Sequence, residues 1–340
     1  MQVDLPTLVE QFAGEQYRLC GASAALVIGP RARGIATSDS DIDIAFLVPS
    51  YDGPEAKDFI VAGHEVGVEW YDLDRFAAWS DYPLLDFKEL RLVGRLVCGK
   101  PLRVETELPS AIASKCRNAL LAPECAGLLF EKIDQMTKKE FLDALDNEED
   151  VLYALQGAVG ALATIALYMT PVRFQKPKWV VHDLAATGHD DLLHILAASY
   201  GVNGHVGIDR ATDIVDGLAE QLEFGLELLR DGGNGSSNEL RARIASYNFR
   251  GAKGLLASGD GLGAVHTAAV CIRILAAGLS AETVKSGVSP ALDWRRRAMR
   301  TTVTSICLSE AYQHELRTVI AEAGRAVLEN YKSAVNNRLQ

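Results

Sequence analysis

The chain contains no C-x-x-C pair and few aromatic side chains, 7% of its 340 residues. Its six cysteines, Cys20, Cys98, Cys116, Cys125, Cys271 and Cys307, are scattered and mostly embedded in apolar runs. That spacing argues against a zinc site and against a disulfide framework, and predicts reduced thiols packed in a core. Positive charge is also in deficit, with a formal net charge of −11. Such a balance opposes sliding along a polyanion, so nucleic acid is the less favoured partner and a neutral or cationic small acceptor the better one. The opening MQVDLPTLVEQF lacks a basic segment followed by an apolar core, so no secretory leader is expected. The most apolar stretch, Val151 to Met169, is interrupted by Gln156 and by glycines, and reads as a buried helix rather than a membrane span. A cytoplasmic location with no membrane partner is the expectation.

What the chain does have is globular composition, 48% apolar and 23% charged residues. Its length exceeds one typical domain. Residues 1–105 carry mixed strand and helix signals. From about Pro109 onward the sequence is rich in Ala, Leu and Glu, which predicts an all-helical region. The polar break DGGNGSSN, Asp231 to Asn238, is the clearest linker and divides that region into 106–230 and 231–340. The expected fold class is therefore α+β, a small mixed sheet with helices on one side followed by helical units. Within the first part, apolar spacing predicts a helix over 5–19 and strands over 24–28, 41–48 and 64–73. The segment 92–102 reads as a helix end running into a closing strand.

The chemistry concentrates in ALVIGPRARGIATSDSDIDIAFLV. Side chains of a strand alternate between faces, so Asp41 and Asp43 share one face while Ile42 and Ile44 share the other. Two carboxylates that close repel each other unless a cation lies between them. A third acid, Glu69, on a neighbouring strand would complete a set of hard oxygen ligands suited to Mg²⁺. Ahead of the pair, Gly29 permits a sharp turn and close approach of backbone to a phosphate, and Pro30 suits the first position of a helix. Arg31 and Arg33 bring positive charge to where a metal-bound triphosphate would lie, and Gly34 allows a second bend.

On these residues the segment Gly29 to Val48 resembles the signature of the DNA polymerase β-like nucleotidyltransferase superfamily, in its small bacterial branch that includes aminoglycoside nucleotidyltransferases. Gly29, Arg31, Arg33, Gly34, Ser38, Asp39, Ser40, Asp41 and Asp43 match the pattern position by position, and Glu69 within GVEWYDL matches the third acid. The resemblance covers about residues 20 to 100. It departs at Pro30, where the family has a serine whose hydroxyl and amide bind phosphate. The resemblance implies that Asp41, Asp43 and Glu69 hold Mg²⁺, two ions, with Mn²⁺ as a substitute. It assigns Gly29, Arg31, Arg33 and Ser40 to the nucleotide. It further implies a lysine of the helical region reaching the phosphates across a cleft. Lys178 in RFQKPKWVVHDL is the first choice and Lys176 the second, the alternative being a solvated basic loop with a tryptophan anchoring a helix.

Other acids carry weaker signals. Glu69, Asp86 or Glu89 would serve as general base toward an acceptor hydroxyl. The run DALDNEED, Asp143 to Asp150, would line the cleft, although acidic runs are more often solvated faces. His182 beside Asp183 reads as a capping or core histidine before it reads as a ligand. The expected reaction is transfer of a nucleoside monophosphate from NTP·Mg²⁺ to a hydroxyl of a small acceptor, with release of pyrophosphate. Three alternatives stay open: a tRNA-modifying enzyme, a protein-modifying one, and a nucleotide-binding pseudoenzyme suggested by Pro30. Residues 231–340 would enlarge an acceptor pocket or form a homodimer interface.

Overall fold

The computed structural model describes residues 5–36, 40–50, 56–73, 87–104, 108–119, 121–145, 147–170, 176–202, 206–231, 236–283, 290–303 and 305–339. Ser38, Asp39, Asp86 and Arg173 lie outside them. The fold is α+β. Contacts divide it into two compact units, Met1–Ala126 with Tyr168–Gln175, and Gly127–Leu167 with Lys176–Gln340. The helical stretches on either side of the Asp231 break thus belong to one unit.

The first unit runs α1 (Thr7–Leu19), β1 (Ala24–Ile28), α2 (Gly29–Arg33), β2 (Ile42–Val48), β3 (Ala56–Val61), β4 (His64–Asp72), α3 (Phe87–Val97), β5 (Lys100–Val104) and α4 (Leu108–Asn118). Its five strands form one mixed sheet in the order β3-β4-β2-β1-β5. β2 pairs antiparallel with β1 and parallel with β4, which places it at the centre. Every residue of β1 and β2 is buried, which explains their continuous apolar run. The edge strand β3 was not anticipated. Its segment AKDFIV shows no clean alternation, and most of it faces solvent. A two-residue turn closes the β3–β4 hairpin, with Ala62 at φ 51° and Gly63 at φ 83°, the double positive φ of a type I′ turn.

Helices cover both faces of the sheet rather than one. Leu5, just before α1, and Val9, Ala13 and Tyr17 of α1 pack in one core with Ala25, Val27, Ile42, Ile44, Phe46, Val48, Val66, Val68 and Trp70. The opposite face carries Leu26, Ile28, Ala45 and Leu47. There Gly99, in the turn after α3, comes so near that a Cβ would stand 3.3 Å from Leu26 Cδ1 and 3.4 Å from Ile28 Cγ2. From α3 itself, Val93, Leu96 and Val97 are buried. The second helix was read from sequence only as a helix end over 92–102, because LRLVGRLV carries overlapping signals for helix and strand.

The second unit is helical: α5 (Pro123–Thr137, whose first turn belongs to the first unit), α6 (Lys139–Asp143), α7 (Glu148–Tyr168), a 3₁₀ turn (Pro177–Trp179), α8 (Val180–Ala186), α9 (Asp190–Ser199), α10 (Ile208–Asp231), α11 (Ser236–Ala257), α12 (Gly261–Thr283), α13 (Pro290–Thr302) and α14 (Glu310–Leu339). Two of its helices, α7 and the first part of α12, are long and apolar enough to cross a membrane, yet 72% and 78% of those stretches are buried inside the fold. α12 packs against α10, α11 and α13. Trp294 of α13 is fully buried, donates its indole N–H to Gln221 O of α10 at 2.7 Å, and lies over Gly225 of the same helix.

Ion pairs and hydrogen bonds tie this bundle together. Asp150 accepts from Arg295 at 2.6 Å and from Arg296 at 2.8 Å, and Glu149 pairs with Arg300 at 2.5 Å. The acidic run thus ends in buried carboxylates held by α13, a structural role rather than the solvated face or cleft lining its sequence suggested. The Tyr153 ring has Arg273 at 4.3 Å and Arg295 at 4.8 Å from its centroid. Arg273 also donates to Tyr153 O and Gln156 Oε1. Deeper still, Tyr200 Oη and His266 Nδ1 are 3.0 Å apart. Burial, with the nearby Arg273 charge, pushes the His266 imidazole down to about 4, and burial pushes the Tyr200 phenol up to about 12. All six cysteines are free thiols.

His266 makes stability depend on pH with a defined sign. Its imidazole stays neutral in the fold while the unfolded chain takes up a proton near its ordinary value of about 6.5. The associated stability is complete above that value and is lost as the pH falls toward 4, amounting to roughly 3 kcal/mol at most. Thermal unfolding of the wild type between pH 7.5 and 4.5 should show this decline, and His266→Gln should flatten it.

Candidate active site

The turn between β1 and β2 sets the site. β1 ends at Ile28, whose register partner on β2 is Asp43. The next residue, Gly29, has φ +67° and opens α2, with Pro30 in the first turn where its missing N–H costs nothing. α2 is a single turn. It closes at Gly34, φ +73°, where Gly34 N–H bonds Arg31 O and Ile35 N–H bonds Pro30 O, the paired bonds of a Schellman stop. β2 then begins at Ile42 and runs antiparallel beside β1.

Gly29 meets two demands at once. Its backbone conformation disfavours L side chains, and a Cβ there would stand 2.2 Å from Asp43 Oδ2. A second glycine, Gly67 on β4, lies opposite Asp43 in the parallel register, and a Cβ there would stand 3.2 Å from Asp43 Oδ1. The Asp43 carboxylate therefore occupies a seat formed by two side-chain-free positions, with the residue only 6% exposed. Asp41 lies just before β2, which begins at Ile42, one residue later than its sequence pattern suggests. Arg31 is half-buried, and its Nε is buried with no hydrogen-bond partner among the described residues. Arg33 and Ser40 are half-buried nearby in sequence.

Glu69 shares the sheet face of Asp43, one register step along β4, opposite Ala45. Its Oε1 accepts from Arg95 of α3 and its Oε2 from Tyr71 two residues on, so both oxygens have internal partners. Sequence reasoning passed over two further carboxylates on this face. Asp58 of β3 is the register partner of Gly67, and its Oδ1 lies 3.7 Å from the place a Gly67 Cβ would take. Glu65 precedes Gly67 by two residues on β4 and is exposed. Only strand register could have found Asp58, because β3 carries no sequence signal of its own. Glu89 lies within α3.

The donor chemistry fits Mg²⁺. The candidate ligands are carboxylate oxygens, with no thiolate or imidazole among them, and Mg²⁺ typically takes one or two carboxylates and leaves its other positions to water and phosphate. Among the described residues no group of three or more His, Cys, Asp or Glu side chains is placed to hold a metal ion. Asp41 and Asp43 would by themselves be a partial set, which substrate phosphates and water would have to complete.

Lys176 and Lys178 belong to the second unit. Lys178 is buried beside Trp179, with its ammonium 5.3 Å from the indole centroid. His182 Nδ1 lies 3.2 Å from Asp183 Oδ1, and Asp183 is buried. Compared with known proteins, the chain matches no family model and no curated sequence.

The Gly29 contact makes a direct stability prediction. Gly29→Ala adds both a strained φ and a collision with the Asp43 carboxylate, and should destabilise the first unit by about 1–3 kcal/mol. Gly67→Ala, facing a 3.2 Å contact without a positive φ, should cost less. Chemical denaturation followed by fluorescence would rank the two.

Proposed function

We propose that the first unit is a polymerase β-like nucleotidyltransferase domain that transfers a nucleoside monophosphate from NTP·Mg²⁺ to a hydroxyl of a small acceptor. The observation that carries this reading is the Asp43 carboxylate seated against Gly29, at the point where a strand, a one-turn helix and a second strand meet. An aspartate that presents its oxygens beside a phosphate-binding turn needs room of this kind.

In this reading Asp41 and Asp43 hold Mg²⁺, which when bound neutralises phosphate charge and lowers the cost of forming the attacking oxygen. Gly29 lets the backbone of the turn come close to the triphosphate. Arg31 and Arg33 bind phosphate oxygens, and the buried, unpartnered Arg31 Nε supports this. Ser40 flanks the pair. Glu69 stays on the same face as the third carboxylate, aimed by Arg95 and Tyr71. The acceptor oxygen bonds to the α-phosphorus as the bond from that phosphorus to the bridging oxygen breaks. Pyrophosphate departs with the electron pair, and the hydroxyl proton passes to a carboxylate, Glu69 or another acid of this face. Positioning and fixed charge supply most of the rate enhancement. The acceptor is a small hydroxyl compound such as an aminoglycoside.

A second reading has its own support. Because Glu69 gives both oxygens to Arg95 and Tyr71, and Pro30 offers no hydroxyl or amide hydrogen, the unit would bind nucleotide without transferring it. Incubation with Mg²⁺, each labelled NTP, and a panel of aminoglycosides and tRNA separates the two. Pyrophosphate release dependent on an acceptor favours transfer, and saturable NTP binding with no release on any acceptor favours the second reading. If transfer occurs, Asp43→Asn should reduce it by on the order of 10²–10³-fold or more. Full activity in that variant would remove the metal assignment.

A further inference from the structure

Half-buried Arg273 of α12 is a cation with no carboxylate beside it among the described residues. Its Nη2 donates to Tyr153 O at 2.8 Å and to Gln156 Oε1 at 2.9 Å, and its guanidinium lies 4.3 Å from the Tyr153 ring centroid. These partners are all neutral, and its Nε and Nη1 make no hydrogen bond among the described residues. The other charge at that ring has the same sign, since Arg295 of α13 stands 4.8 Å from the same centroid. The Asp150 carboxylate is already shared between Arg295 and Arg296. Burial first, and the Arg273 charge second, hold the His266 imidazole neutral, so the field of Arg273 is not cancelled locally.

Beside this guanidinium is a recess where α7, α10, α12 and α13 meet. Its polar lining is Tyr153, Gln156, Arg273 and Thr302, set against apolar groups that include Leu218 and Met299. The recess has room for about one water-sized sphere, too little for a sulfate or a phosphate. α7 approaches through Gly157, where a Cβ would stand 3.1 Å from Arg273 Nη1 and crowd the unused edge of the guanidinium. A neutral water there would leave the Arg273 charge as it is. A monatomic anion would offset it, accept from Nε or Nη1, and hold Arg273 against the repulsion of Arg295. The mostly apolar wall favours a halide, which gives up its water more readily than a compact or multiply charged anion. The unbranched Met299 side chain can adapt to its larger radius.

We propose that this recess binds one chloride ion, anchored by the Arg273 guanidinium, and that the ion helps to tie α7 to α12 and α13. The inference stands apart from the nucleotidyl-transfer reading, because every residue it uses belongs to the second unit.

Chlorine NMR line broadening by the full chain reads the ion directly, with sodium chloride exchanged against sodium gluconate at constant ionic strength. Saturable broadening is expected, displaced by bromide and not by sulfate. Arg273→Gln should weaken binding at least about tenfold, the loss of a charge-assisted contact. Arg273→Lys, which keeps the charge, should retain part of it. Arg297→Gln removes an exposed charge from α13 and should leave binding unchanged. Thermal unfolding checks the fold of each variant. Should Arg273→Gln fail to fold, a bromide-soaked crystal of the wild type, read at the bromine absorption edge, decides the matter. The proposal is overturned if broadening does not saturate, if sulfate competes as well as bromide, or if Arg297→Gln loses as much as Arg273→Gln. It is overturned equally if no bromine peak lies within hydrogen-bonding reach of Arg273.

Discussion

The arrangement of the first unit depends on one close approach, that of the Gly29 backbone to the Asp43 carboxylate. A Cβ at 2.2 Å from Oδ2 is sterically excluded, so the residue that turns the chain at the end of β1 must also be the one that makes room for the acid on β2. The register Ile28↔Asp43 brings the two together across a connection that opens with α2. Sheet order and site geometry therefore share one constraint. Once β1 and β2 are locked in this way, the parallel pairing with β4 places Gly67 opposite Asp43 and Glu69 one step further along.

The two faces of the sheet are used differently. The helix α1 closes one mainly with apolar side chains, Val9, Ala13 and Tyr17, and has the Arg103 guanidinium of β5 against Gly14. The other carries the carboxylates, and α3 supplies Arg95 to Glu69 as well as apolar cover. A buried arginine and a half-buried glutamate are tolerable there because each satisfies the other, with Tyr71 donating to the second oxygen. The second unit follows the same rule on a larger scale. Asp150 with Arg295 and Arg296, and Gln156 with Arg273, join helices far apart in sequence through polar contacts that would be penalised if left single.

Much of the first unit was readable in advance. The strand over 24–28 and those beginning near 42 and 64 have strong patterns because they are central or nearly so, and burial on both faces leaves few polar residues to blur them. β3 was not readable, since an exposed edge strand needs no apolar alternation, and with it went the position of Asp58. α3 was read only in part, because a helix lying on an already apolar sheet face does not stand out in LRLVGRLV. The surroundings of Arg273 were not visible either: HTAAVCIRIL reads as an apolar helix, and nothing in it marks Tyr153 and Gln156 as neighbours of its one arginine.

From the order of residues alone came the α+β class, the glycine-led turn, the placing of Asp43 on a strand, and the helical character of the described elements after about residue 109. These are local properties, set by side-chain alternation, by the φ that glycine permits, and by hydrophobic spacing over a dozen residues. Which partners those residues meet was decided by tertiary structure. The register of β4 put glycine rather than an acid opposite Asp43, α3 gave Glu69 its arginine, and α7 brought Tyr153 and Gln156 to Arg273 of α12. Each of these joins positions tens of residues apart in the chain. Such contacts follow from how whole elements pack, and no short window of sequence contains that information.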